Sequence, residues 1–576
     1  MTNLTFMQLK KLSRVDNSLL PQYKIAVMGD CATQHLAAAI RGYGVYTGLG
    51  LSVFDADYNQ IDAQVMDPAS ELYTFAPNAV LIQMCTEKLY EAFCTFPVDR
   101  RASFAEDTYG RIRGIWEQIN AHGSVNIFQC NFPLMDDGCF GQYGNKVPGS
   151  FLFQQRKLNY LLMQGCQEVK NVYVIDLDAI QVACGRGNFS DPKLYYIAKM
   201  PISVDALPAV AKSVVDMVQA LRGAVKKCVI LDLDNTLWGG VIGDDGLSGI
   251  QIGELGTGHA FSDFQSWLKE LKNRGILLAV CSKNNDQTAK EPFEKHPEMI
   301  LRLEDFSMFV ANWEDKASNI RMIQKTLNIG MDSMVFLDDN PFERNLVRSM
   351  IPEITVPELP EDPALYLQYL RGLGLFETAS YSAEDMGRTQ QYRQQAERVI
   401  FESSFQSYDA YLEGLGMKAV SAPFDVFHYP RIAQLTQRSN QFNLRTVRYT
   451  EAEMEALAQD DNHICLYFTL RDKFGDHGLI SVVILDKQAD NSLFVSEWLM
   501  SCRVLKRGME EFIIDKIIRT AAENGFQRVI GEYIPTPKNA MVKDLYEKMG
   551  FARVGENRFE AVVSGFPYHK TFITEE

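Results

Sequence analysis

Polar residues that can do phosphorus chemistry stand where short apolar runs end. Cys228–Leu231 is followed by Asp232, Asp234, Asn235 and Thr236, Leu277–Cys281 by Ser282 and Lys283, and Met334–Leu337 by Asp338, Asp339 and Asn340. Apolar runs this short read as strands of a sheet buried on both faces. Ligands of an open α/β sheet bind beyond the carboxyl ends of its strands, so three adjacent parallel strands would bring these polar residues to one place. Crowded carboxylates repel one another and raise one another's pKa values. A divalent cation relieves that, and all-oxygen ligands favour a hard ion, magnesium first. One carboxylate could then attack phosphorus to give an aspartyl-phosphate, and a second, two residues on, could exchange a proton with the leaving group. Lys316 lies in ANWEDKASNI, where a helix begins between the second and third runs, and would neutralise phosphoryl oxygens together with the metal. Singly, each feature is unspecific. A DxD can be a loop or a sugar-nucleotide metal site, a DD a turn, the serine a cap and the lysine a solvated helix residue. The signal is the order of all four.

That order carries a resemblance. VILDLDNTLWGG resembles the first signature motif of the haloacid-dehalogenase superfamily, DxDx[TV], and Ser282, Lys316 and Asp338–Asp339 match its second, third and fourth motifs. The resemblance implies that Asp232 is nucleophile and metal ligand, and that Asp234 is the acid/base and lends its backbone carbonyl to the metal. It implies that Ser282 and Lys316 hold the phosphate, and that Asp339 is the third protein ligand with Asp338 in support. Only Leu237–Gly258 separates the first motif from the next expected helix, which leaves no room for a large cap domain. An open site of that kind suits a bulky substrate or one presented by another domain.

The longer stretch LDLDNTLWGGVIGDDGLSGI is similar to the FkbH-like subfamily, as are LTQRSNQFNLRTVRYT (435–450), LRDKFGDHGLISVVIL (470–485) and MSCRVLKRGMEEF (500–512). Members of that subfamily load glyceryl units onto acyl carrier proteins in polyketide pathways. The resemblance therefore implies a small phosphorylated donor, 1,3-bisphosphoglycerate, an acyl carrier protein as partner, and a protein-bound thioester. Two cysteines are candidates for the thioester: Cys281, beside the phosphate site, and Cys502, whose thiolate the nearby Arg503, Lys506 and Arg507 and a helix N-terminus would favour.

The last third also resembles a GNAT acyltransferase. Arg503–Gly508 approximates that fold's pyrophosphate-binding turn, where backbone N–H groups and a helix N-terminus hold an anion. Arg503, Lys506, Arg507, Gly508 and the later Asn539 are the implied cofactor-binding residues, and LYEKMGF (545–551) matches a late helix and strand. The implied ligand is a phosphopantetheine arm or coenzyme A, although Lys506 stands where the family pattern has its first glycine. Arg431, Arg438, Arg445 and Arg448 would form either a basic docking face for an acidic carrier or a scattered solvated set. At the other end, MGDCATQHL after a strand resembles the start of an SGNH-hydrolase-like domain. Cys31 replaces the nucleophilic serine there, and Leu194, three residues after Asp191, stands where the catalytic histidine belongs. This implies a degenerate, non-hydrolytic domain in which Cys31 is a buried small residue.

These segments predict an α/β chain of three domains, 1–222, 223–375 and 376–576, each with a mostly parallel or mixed sheet flanked by helices and the central one Rossmann-like. A length of 576 residues requires more than one core. A net charge of −16 disfavours nucleic acid as a partner. No run of eighteen apolar residues suggests a membrane span, and no signal-peptide core opens the sequence. The eleven cysteines lack the spacing of a disulfide framework. Together these predict a cytoplasmic protein with reduced thiols. The leading expectation is magnesium-dependent dephosphorylation coupled to acyl transfer. A plain phosphatase on a small metabolite is the alternative, and a non-catalytic interaction protein is disfavoured by the complete set of motifs.

Overall fold

The protein is described by a computed structural model covering residues 4–381, 392 and 407–576. Residues 382–391 and 393–406 of the third predicted segment lie outside the described residues. The chain divides into two compact units, Met1–Val218 and Gln219–Glu576, and the helix Leu207–Leu221 runs across the boundary. Among the described residues no helix is long and apolar enough to cross a membrane.

The first unit holds five strands: β1 (Gln22–Gly29), β2 (Gly50–Asp55), β3 (Ala79–Gln83), β4 (Asn126–Cys130) and β5 (Val172–Ile175). They form one sheet in the order β2-β1-β3-β4-β5, parallel throughout. The central strands are continuous apolar runs, as sequence predicts for a sheet covered on both faces. Sequence analysis missed β2, an edge strand whose residues beyond Leu51 are only partly buried, so no apolar run marks it.

The second unit holds two sheets. The first orders β6 (Cys228–Leu231), β7 (Leu277–Ser282), β8 (Phe306–Ala311) and β9 (Met334–Leu337) as β8-β7-β6-β9, all parallel. Alternate residues feed two cores: Val229, Leu231, Leu278 and Val280 one, and Cys228, Ile230, Ala279 and Cys281 the other. The edge strand β8 was not predicted. The stretch after the first motif is also not all loop. It contains a helix, Ile242–Gly249, kinked at Gly246 with φ 67°, and the next helix starts at Gly256. The sequence IGDDGLSG, with three glycines and two aspartates, has no apolar period to reveal it.

The other sheet has eight strands: β10 (Met417–Pro423), β11 (His463–Asp472), β12 (Gly475–Lys487), β13 (Ser492–Met500), β14 (Arg528–Glu532), β15 (Ala552–Arg553), β16 (Arg558–Val562) and β17 (Ile573–Glu575). Their order is β15-β16-β14-β13-β12-β11-β10-β17. It is antiparallel except where β13 pairs β14 and β10 pairs β17. The parallel pairing of β13 with β14 extends only over Ser492–Phe494, and the two strands separate beyond it.

Candidate active site

Register brings the first-sheet residues together. Leu231 pairs with Val280 on one side and Leu337 on the other, and the Asp232 N–H donates to the Leu337 carbonyl at 3.0 Å. Asp232 and Asp338 therefore follow adjacent strands at one level, and Ser282 ends the neighbouring β7 one residue further along. Lys316 is the first residue of the helix Lys316–Leu327, whose N-cap Asp315 accepts the Ser318 N–H. From there its Nζ reaches Asp232 Oδ2 at 2.9 Å and Asp338 Oδ2 at 2.6 Å, with Asp338 fully buried. Carboxylate oxygens of Asp232, Asp338 and Asp339 all lie within 4.8 Å of one another.

The electrostatics follow from this crowding. Burial, reinforced by repulsion from Asp232, pushes Asp338 up to about 7, against the pull of Lys316. Burial and Asp232 likewise raise Asp339. Burial alone would lower Lys316, but Asp232 and Asp338 outweigh it and hold the ammonium above the ordinary lysine value. Asp234 turns elsewhere. Its Oδ1 accepts Trp238 Nε1 at 3.0 Å and the Ile242 N–H at 2.9 Å, and its Oδ2 accepts Asn284 Nδ2 at 3.2 Å. Burial raises its pKa, partly offset by those N–H donors. Its carboxylate is thus held by the helix Ile242–Gly249 and the loop after β7, outside the three-carboxylate cluster.

Three supporting side chains escaped sequence analysis. Trp238 and Asn284 orient Asp234. Arg344 donates Nη1 to the carbonyls of Asp338 and Asp339 at 2.8 and 2.7 Å, fixing the loop that carries them. Asn284 was the most findable, as part of the polar SKNN that ends β7. Thr236 was noted, and it donates toward Asp339 Oδ1 and accepts the Asp339 N–H.

The thiol and cofactor residues are placed differently. Cys281 is buried, its Sγ directed at the Lys316 carbonyl at 3.8 Å, and burial pushes its thiol far above the usual range. Cys502 is half-buried in a short turn whose carbonyl accepts Asn328 Nδ2, and it lines a cavity of about 310 Å3 together with Lys227, Arg438, Arg503 and Lys538. Arg503 donates to Ser501 Oγ and the His477 carbonyl, and Arg507 to Asp472 Oδ2 and the Arg503 carbonyl. Lys506 alone of the three is exposed, at φ 62°, but its N–H donates to Glu510 Oε1. Gly508 caps the helix Met509–Glu523 at φ 79°. Asn539 is buried and bonded to Thr536, Asn443 and Ile534. Beyond Phe494 the gap between β13 and β14 is bridged by the chain itself. Leu444 donates to Trp498 and accepts from Ile534, and Phe442 accepts from Met500.

The four arginines need a correction. None is exposed, so they form neither a basic face nor a solvated scatter. Arg431 is buried beside Gln434, Arg445 pairs with Glu532 at 2.8 Å, and Arg448 donates to the Ser439 carbonyl. Arg438 donates to the Ser380 carbonyl. In the first unit Cys31 is buried, while Asp191 caps the helix Pro192–Ala198, in which Leu194 lies.

Residues 24–219 match the family described as FkbH, N-terminal domain. The N-terminal part of a Bacteroides fragilis protein, solved as a fragment containing a phosphatase domain complexed with Mg, is 49% identical over 66% of this chain and all of that one, with a TM-score of 0.63. Two acetyltransferases align over about a quarter of this chain at 14% identity. The Escherichia coli ribosomal-protein-S18-alanine N-acetyltransferase does so over 25% of this chain and 90% of its own with a TM-score of 0.19, and the Vibrio cholerae spermidine N-acetyltransferase over 26% and 98% with 0.22. No curated protein matches the chain. With a relative this similar matched over its whole length, and with the first unit matching the family's N-terminal domain, the chain belongs to the FkbH-like family of haloacid-dehalogenase-type phosphatase-domain proteins.

Proposed function

We propose that the Asp232 centre, with magnesium as cofactor, removes the ester phosphate of a small acyl phosphate that also carries a phosphate ester, and that a thiol attacks the acyl carbon and expels the acyl-bound phosphate, so that the acyl group passes to the thiol of an acyl carrier protein with help from the C-terminal sheet. One observation carries the first part: a buried lysine held between the carboxylates of Asp232 and Asp338, with Asp339 in the same cluster. Three carboxylates without a matching set of cations fit a hard divalent ion, and the relative solved with Mg supports that choice. Asp232, Asp338, Asp339 and the Asp234 carbonyl would hold the ion, which when bound neutralises charge on the phosphoryl oxygens.

The chain's own residues supply the rest. Asp232 attacks phosphorus and carries the phosphoryl group. Lys316 offsets the negative charge gathered there, and Ser282, at the end of β7, holds a phosphoryl oxygen. Asp234, raised by burial and steadied by three N–H donors, holds the proton for the leaving group and later takes one from the attacking water.

The transfer step rests on the family resemblance and on the cavity beside Cys502, which has room for a flexible arm and a thiol to relay the acyl group. A GNAT-like role for the C-terminal sheet, with phosphopantetheine or coenzyme A at its cavity, belongs to this reading, as does a non-hydrolytic SGNH-like role for the first unit. A plain phosphatase is the second reading. In its favour, Arg503, Arg507 and Asn539 bond within the protein, and Phe442–Leu444 bridges the gap between β13 and β14. Mass spectrometry of carrier proteins incubated with this protein, magnesium and candidate acyl phosphates separates the two. Carrier mass rising by one acyl group, dependent on Cys502, supports transfer. Phosphate release with no carrier adduct supports the plain phosphatase.

A further inference from the structure

The first unit has a second cluster of metal-ligating groups. Asp30 and Cys31 follow β1, and Cys85 follows β3, the adjacent parallel strand. All three therefore sit at the carboxyl edge of the sheet, where α/β folds bind ligands. Ligand atoms of Asp30, Cys31 and Cys85 lie within 4.8 Å of one another. Tetrahedral zinc with metal–sulfur bonds of about 2.3 Å sets its ligand atoms roughly 3.8 Å apart, so only small rotations separate the observed cluster from that geometry.

The surroundings favour an ion over simple packing. Cys31 and Cys85 are both buried free thiols within hydrogen-bond reach of each other, with no disulfide between them. One oxygen of Asp30 accepts the Cys85 N–H at 2.9 Å, which orients the carboxylate beside the Cys85 thiol. Cys85 occupies the N-cap of the helix Thr86–Thr95. The Glu87 carboxylate contacts the Cys85 thiol, and burial raises its pKa. Gln83 is buried, and its Oε1 has no hydrogen-bond partner. Gln83, Cys85 and Glu87 together line a cavity of about 40 Å3, more than the roughly 10–15 Å3 of such volume that one water needs.

We propose that Asp30, Cys31 and Cys85 bind one thiophilic divalent cation of the zinc class, with Glu87 at the fourth position. Two thiolates and a carboxylate select zinc over magnesium, whereas the all-carboxylate Asp232 cluster has the opposite preference. The ion would join the ends of β1 and β3 and the start of the helix Thr86–Thr95. The ligands bind as anions, so each equivalent taken up releases the thiol protons to buffer. The proposal is independent of the phosphatase reading.

The test uses the full-length, reduced protein and cobalt(II) as a spectroscopic probe, because thiolate–cobalt charge transfer reports sulfur ligation and a carboxylate site gives none. One equivalent should produce the band in the wild type and in Asp232→Asn. Zinc should displace it, and zinc should raise the melting temperature. Cys31→Ser and Cys85→Ser should each lose the band. Asp30→Asn keeps the acceptor for the Cys85 N–H and should weaken cobalt binding at least tenfold, so the readout survives even if a cysteine variant fails to fold. No thiolate band in the reduced wild type, or a band that persists undiminished in both serine variants, would overturn the site.

Discussion

The ammonium of Lys316 lies 2.9 Å from Asp232 and 2.6 Å from Asp338, joining the residues that follow two adjacent strands. It is as buried as the carboxylates it serves. Removing one partner of a buried ion pair leaves the others uncompensated, at a cost of about 3–5 kcal/mol. Lys316→Met should therefore lower the melting temperature by several degrees and abolish phosphate release. Magnesium should restore part of the lost stability, because the ion supplies the missing positive charge, but none of the turnover. Differential scanning calorimetry with and without magnesium checks this. An unchanged melting point would refute the buried contact.

Asp234 should be separable from Asp232 by function. Asp234→Asn keeps an oxygen for Trp238 and Ile242 but removes the group that moves the proton. The loss should be about a hundredfold to ten-thousandfold in kcat, with magnesium affinity nearly intact. Steady-state kinetics alongside magnesium titration distinguishes this from a metal-binding defect, which would raise the magnesium requirement instead.

Glu497 on β13 carries a pH dependence remote from the active centre. It is fully buried and holds its proton up to about 8, because burial outweighs the attraction of Arg448 and Arg445, whereas an unfolded glutamate releases it near 4.5. Between those values the folded state binds the extra proton, so stability is fully present below about 4.5 and is lost as pH rises through about 8. Glu497→Gln should match the wild type in melting temperature at about pH 5 and exceed it by several degrees at about pH 8.5. Parallel pH profiles for the two proteins would contradict the assignment.

Cys31→Ala should leave hydrolysis of simple aryl esters at background. Cys31 is buried, and Leu194 of the helix Pro192–Ala198 supplies no base. An ester hydrolase activity that disappears with Cys31 would restore a catalytic role to the first unit.

The Asp232 centre was legible because its strands are short continuous apolar runs and its polar residues follow directly. β6 and β9 begin and end where the sequence predicts, and β7 runs one residue further. What escaped lacks that local signature. The edge strands β2 and β8 are not marked by fully buried runs, and the helix Ile242–Gly249 has glycines where an apolar stripe would announce a helix. Among the arginines at 431, 438, 445 and 448, Arg445 and Arg438 read as surface charge because their partners, Glu532 and Ser380, lie far along the chain. The basic turn at Arg503–Arg507 was read correctly as a turn before a helix. Its inward contacts to Asp472 and His477 depend on the pairing of β11 with β12. The cluster of Asp30, Cys31 and Cys85 was invisible for the same reason, since it forms only when β1 lies beside β3.

A covalent phosphoryl intermediate on Asp232 in a magnesium site makes phosphate release depend on both the residue and the ion. Phosphate release from a small phosphate ester should be measured for the wild type and for Asp232→Asn, with magnesium, with calcium and with EDTA. Asp232→Asn retains the Lys316–Asp338 pair and should fold with a melting temperature close to the wild type. The account predicts turnover in the wild type that needs magnesium, is inhibited by calcium with its looser coordination, and falls by about three orders of magnitude or more in Asp232→Asn. A folded Asp232→Asn protein that keeps more than about a tenth of wild-type turnover, or a wild type equally active in EDTA, would contradict it.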